Sequence, residues 1–203
     1  MSTRLRLFIT ALAAFLNLAA GGYEPRDGDI VFQDSGAPES LAIQLATDSP
    51  YSHVGIVFLV DGEPVVWEAV NPVRATPFDA WVARDPGGHF VAKRLENADE
   101  TLDEEGAAAL RRAVKAFAGR PYDFRFSWSS DALYCSELVW KAYDKGLGIR
   151  LSDPRPMGDY DLGHPEVRAQ LRERFGVDAP LEERVVSPAA LFHSPHLRKV
   201  YVP

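Results

Sequence analysis

One cysteine in 203 residues and a shortage of positive charge are what this sequence most plainly has little of. With Cys135 as the sole thiol, no intrachain disulfide can form. No cysteine stands near the N-terminus to take a bacterial lipid anchor. Lys and Arg number 22 against 29 Asp and Glu, a formal charge of −7 that counts against nucleic acid or an anionic membrane surface as the main partner. No repeat, low-complexity tract or long linker divides the chain. Metal-ligand spacing is missing too: Pro195 keeps His193 and His196 from sharing a helix, and the Asp-bearing stretch 150–165 lacks the ordered spacing and bidentate Glu of a calcium loop. No metal or other cofactor is expected.

The only long apolar run is Leu7 to Leu16, preceded by Arg4 and Arg6 and followed by small residues ending in AAGG. That is the layout of a secretory signal peptide over residues 1–20, with an exported, periplasmic product; a membrane anchor is the competing reading of the same run. Losing Arg4 and Arg6 with the leader takes the formal charge from −7 to −9. The remainder, 21–203, is long and apolar enough to bury one core and is expected to form a single domain.

Local patterns sketch an α+β domain. DGDIVFQD (27–34) reads as a strand, PESLAIQLATDS (38–49) as a helix, and SHVGIVFLV and EPVVWEAV as strands of a hairpin turning at Asp61-Gly62. HFVAKRLE (89–96) is a third strand. Thr101 with Glu104 forms a capping-box pattern for a helix that stops before Pro121, and a second helix starts near Tyr134 with Gly146 as its stop. Residues 150–165 read as a surface loop, 166–175 as a polar helix, 187–192 as a last helical turn and 197–202 as a closing strand. The strands do not alternate regularly with helices as a parallel sheet requires.

Cys135 lies in the first turn of the second helix, with Leu138, Val139, Ala142 and Tyr143 on its face. Unpaired backbone N–H groups there favour a thiolate and can receive an oxyanion. A buried structural cysteine would occupy the same place. A two-residue turn at Asp61-Gly62 sets Gly55 opposite Glu68 and His53 opposite Val70, so His53 and Glu68 are diagonal neighbours on one face. Thiol, imidazole and carboxylate are the groups that cysteine hydrolysis uses: a nucleophile, a base, and an orienter of the base.

The segment GRPYDFRFSWSSDALYCSELVW resembles the cysteine segment of the NlpC/P60 superfamily of papain-like hydrolases. The histidine segment precedes the cysteine, so the order resembles the circularly permuted branch. GDIVF, SHVGIVF, WEAV, RPYDF, YCSELV and VVSPAALF together resemble its YiiX/YebB-like group across residues 27–192. The resemblance implies a permuted papain-like fold with Cys135 as nucleophile, His53 as base and Glu68 as orienter. It also makes Tyr122 a candidate for holding the oxyanion beside the Cys135 N–H, with Tyr134 a further oxyanion or substrate-binding candidate. Tyr134 stands where the commoner superfamily motif has Asp, and Glu137 where it has Gly. Glu137, two positions along the helix, is expected to turn away from the thiol.

The activity so implied is hydrolysis of an amide through a thioester, on a peptide, a cell-wall peptide or an acyl-amino-acid amide. Two alternatives stay open. A lipid-directed acyltransferase or esterase would place a greasy groove beside Cys135, and a binding module would keep the fold without turnover.

Overall fold

A computed structural model describes residues 22–203, so the expected leader 1–20 lies outside the described residues. The chain forms β1 (Ile30–Gln33), α1 (Ser40–Thr47), β2 (His53–Val60), β3 (Glu63–Glu68), β4 (Arg74–Pro77), α2 (Phe78–Val82), β5 (Val91–Leu95) and α3 (Ala98–Thr101). It continues through α4 (Glu104–Lys115), α5 (Cys135–Leu147), β6 (Arg155–Pro156), α6 (Pro165–Phe175), β7 (Arg184–Val185), α7 (Pro188–Phe192) and β8 (Leu197–Tyr201). Six strands make one antiparallel sheet in the order β4-β3-β2-β1-β5-β8, as the α+β reading requires.

Alternation of side chains gives the sheet two apolar faces. Ile30, Phe32, Val54, Ile56, Phe58 and Trp67 point to the side where α4 and α5 pack. Val31, Val57, Val66 and Ala92 point to the other, where Phe78 and Trp81 of α2 join Tyr23 and Phe90. Helix α5 is buried continuously from Cys135 to Tyr143, so its first turn is fixed deep in the molecule. Asp29 ties the sheet down, taking the Arg94 guanidinium and the Tyr23 hydroxyl at 2.6 to 2.8 Å.

The hairpin follows from its two turn residues. Asp61 and Gly62 both have positive φ, 53° and 86°, as a type I′ turn demands, and Val60 pairs with Glu63 and Ile56 with Trp67. Gly55 is obligatory: a Cβ there would come within 2.4 Å of Val66 Cγ1 and 3.0 Å of the Trp67 carbonyl oxygen.

Three local expectations are corrected. Thr101 does not cap the long helix: it ends α3, and Asp103 in extended backbone accepts the Gly106 N–H at 2.9 Å to start α4. Gly146 does not stop α5, which runs to Leu147 and closes on Gly148 at φ 68°. Gly146 instead lets α5 cross α4 closely, since a Cβ would fall 2.9 Å from Leu110 Cα. Residues 150–165 are no mere surface loop: β6 pairs with β7, and Leu151, Met157 and Tyr160 are buried. Strand β4 and helix α2 carry too few residues for any periodicity to announce them, and both supply groups to the site.

Candidate active site

The end of the sheet at which β2 begins and β3 finishes carries the polar centre. His53 opens β2 at 7% exposure and Glu68 ends β3 with none, two residues of one face brought together by the hairpin register. His53 Nε2 lies 2.7 Å from Glu68 Oε2. The strand and the helix that sequence patterning missed complete the carboxylate's surroundings. Thr76 of β4 donates its hydroxyl to Oε1 at 2.6 Å, and Arg84, just past α2, gives one guanidinium nitrogen to each carboxylate oxygen, Nη1 to Oε2 at 2.6 Å. Glu68 thus meets an imidazole, a hydroxyl and a bidentate guanidinium with none of its own surface exposed. Trp81 covers the pair, its ring 6.2 Å from the imidazole at a 31° tilt.

These contacts set the charges. Burial alone would raise Glu68, but hydrogen bonds from His53 and Arg84, the His53 charge and the Thr76 hydroxyl hold its carboxyl down at about 2. For His53, burial acts strongest and opposes a charge, yet hydrogen bonds with Cys135 and Glu68 and their negative charges outweigh it and push the imidazole up to about 9. His53 therefore keeps its second proton at neutral pH.

Cys135 is the first residue of α5, 4% exposed, its Sγ 4.0 Å from the carbonyl of Ser52, the residue preceding His53. Since Nε2 is committed to Glu68, Nδ1 is the imidazole nitrogen left for the thiol. The helix start is locked from within. Glu137, fully buried, accepts the Tyr134 N–H at 3.4 Å and pairs with Lys141 at 2.7 Å, on the side away from the thiol. Burial lifts Glu137 to about 7 against the pull of Lys141.

The two tyrosines take different positions. Tyr122 lines both hollows of the cleft, and burial together with the Cys135 charge holds its phenol well above the ordinary value, so its O–H stays a donor. Tyr134, 2% exposed, lines one hollow only, and its hydroxyl accepts the Val186 N–H at 3.1 Å. Sequence reasoning missed Arg84, Thr76 and Trp81, which reach the site from short elements without a pattern of their own.

Two hollows flank the pair of reactive groups. One, about 130 Å³ and almost wholly apolar, is lined by Cys135, Ala46, Met157, Leu171, Phe175 and Val185 among others, between α1, α6 and the β6–β7 ribbon. The other mixes polar and apolar lining, is the more polar of the two, and is lined by His53, Asn71, Arg74, Arg84 and Phe124 among others. Glu39, Ile43, Ser52 and Tyr122 line both and mark where they join.

Comparison with known proteins shows the family and the fold. The chain is 44% identical over 195 residues to "Uncharacterized protein YiiX" of Escherichia coli strain K12, covering 96% of this chain and 94% of that protein. It superposes with a TM-score of 0.86 on the crystal structure titled "metalloprotein yiiX" from Escherichia coli O157:H7, at 45% identity over 89% of this chain and 99% of that one. The described residues of the present chain do not fit a metal, for no group of three or more His, Cys, Asp or Glu converges among them. Residues 24–201 match the family described as "Permuted papain-like amidase enzyme, YaeF/YiiX, C92 family", and it is to this family that the chain belongs.

Proposed function

We propose that the protein is a cysteine amidase that cleaves the bond between an apolar acyl group and a polar amine through a thioester on Cys135. The observation that carries this reading is the division of labour between the two hollows: Cys135 lines the apolar one and His53 the polar one. A thiolate that attacks an amide keeps the acyl group, while the imidazolium protonates the departing nitrogen. The acyl part consequently lies on the thiol's side and the amine on the imidazole's.

In the first half-reaction the Cys135 sulfur bonds to the carbonyl carbon, the C–N bond breaks, and the proton on His53 goes to the amine. Water then enters on the imidazole side, loses a proton to Nδ1 and attacks the thioester, releasing the carboxylic acid and returning the proton to the thiolate–imidazolium pair. Glu68, locked by Arg84 and Thr76, keeps the ring orientation through both steps. The Cys135 N–H at the helix start and the Tyr122 hydroxyl supply donors for the tetrahedral oxyanion.

The greasy lining beside the thiol supports acyl chains over cell-wall peptides as the acyl donor. Esters of the same chains fit that hollow equally, and the protonated imidazole speaks for a poor, basic leaving group such as an amine. Action outside the cytoplasm belongs to the same proposal, through the leader in residues 1–20. The test is incubation of the purified chain with N-acyl amides of graded chain length, with mass-spectrometric detection of the free acid. Acid release by the wild type, absent in Cys135→Ala, is the expected result; release that survives in Cys135→Ala overturns it.

A further inference from the structure

The amine side of the cleft carries a cation that no other described residue uses. Of the charged groups there, Arg84 is committed to Glu68 through both terminal nitrogens, and His53 is held by the same carboxylate. Glu39 lines both hollows, so it stands at their junction. Arg74 lines the polar hollow alone. Strand pairing sets it directly across from Glu68, but that carboxylate is already filled, and Arg74 makes no ion pair or side-chain hydrogen bond among the described residues. Asn71, exposed on the same wall, adds an amide donor.

Resting on the amidase reading above, we propose that Arg74, assisted by Asn71, binds a carboxylate carried by the amine leaving group, which makes the preferred substrate an N-acyl amino acid. A guanidinium presents a planar fork that matches a carboxylate's two oxygens. One unspent cation balances a single negative charge, whereas a phosphomonoester would leave charge uncompensated. The two halves of such a substrate match the two hollows, an alkyl chain in the apolar one and a short anionic amine in the polar one.

The experiment measures binding in the inert Cys135→Ala chain, by calorimetry, of N-octanoylglycine and of its uncharged carboxamide. A charge-assisted bond to an exposed arginine predicts that the acid binds about 10-fold more tightly than the carboxamide. Adding Arg74→Gln should abolish that advantage and leave carboxamide binding unchanged, which shows that the fold and the apolar hollow are intact; Arg74→Lys should retain part of it. Equal binding of acid and carboxamide with Arg74 present, an advantage that survives Arg74→Gln, or no binding of either compound overturns the proposal. An Arg74-dependent preference in a chain whose active form releases no octanoate from either compound would uphold the carboxylate site and overturn the amidase reading instead.

Discussion

Replacing Arg84 by methionine tests how the centre is built, because Arg84 shares with the His53 imidazolium the balancing of a fully buried carboxylate, and is the partner that grips both of its oxygens. The substitution keeps most of the apolar stem and removes two charge-assisted hydrogen bonds from Glu68, leaving it Thr76 and His53. Breaking a buried ion pair from one side costs about 3 to 5 kcal/mol. The Arg84 side chain is 26% exposed, so water can partly fill its place, and the discounted expectation is about 2 to 3 kcal/mol. Urea unfolding at pH 7 measures it directly, with the slope of the transition checked against the wild type. Arg84→Lys should recover only part of the loss, since an ammonium cannot span both oxygens. A loss below about 0.5 kcal/mol for Arg84→Met, the value of an ordinary surface pair, would refute the claim that Arg84 secures Glu68.

Other consequences follow from the same geometry. Gly55→Ala should cost about 1 to 3 kcal/mol in the same unfolding assay, because the new methyl group overlaps Val66. Glu68 is held at about 2 in the folded chain against about 4.5 in the unfolded one, so its contribution, on the order of 3 kcal/mol, is present above pH 4.5 and lost as pH falls toward 2. Glu68→Gln should flatten that acid limb of the unfolding midpoint. His53 runs the other way: its contribution is complete below about pH 6.5 and lost as pH climbs toward 9, so His53→Gln should remove an alkaline decline. Tyr122→Phe should lower amide turnover by about 10- to 100-fold with stability nearly unchanged, as expected for an oxyanion donor. An unaltered rate would remove Tyr122 from the mechanism.

Much of the centre could be read from the chain because its carriers obey short-range rules. Asp61-Gly62 fixes the turn type, the turn fixes the register, and the register brings His53 to Glu68. Cys135 could be placed because helical spacing of Leu138, Val139 and Ala142 locates it on a buried first turn. Arg84 and Thr76 obey no such rule. They arrive through a four-residue strand and from just beyond a five-residue helix, and what selects them is a buried charge 8 and 16 positions away rather than a local pattern. Gly146 shows the limit from the other side, for a glycine near a helix end can serve a turn or a close crossing, and only the position of α4 decides between them. The stretch 150–165 misled through its prolines and aspartates, while the apolar residues among them, Met157 and Tyr160, build a wall of the hollow beside the thiol.

The central claim is that Cys135 is an activated nucleophile served by His53, and its sole thiol makes the test specific. The measurement is the rate of iodoacetamide alkylation of the folded chain at pH 7, in the wild type and in His53→Ala, read by intact mass. The account predicts a single adduct on Cys135 that forms about ten times faster, or more, with His53 present. Equal rates in the two proteins, both as slow as an ordinary buried thiol, would contradict it and make Cys135 core filling.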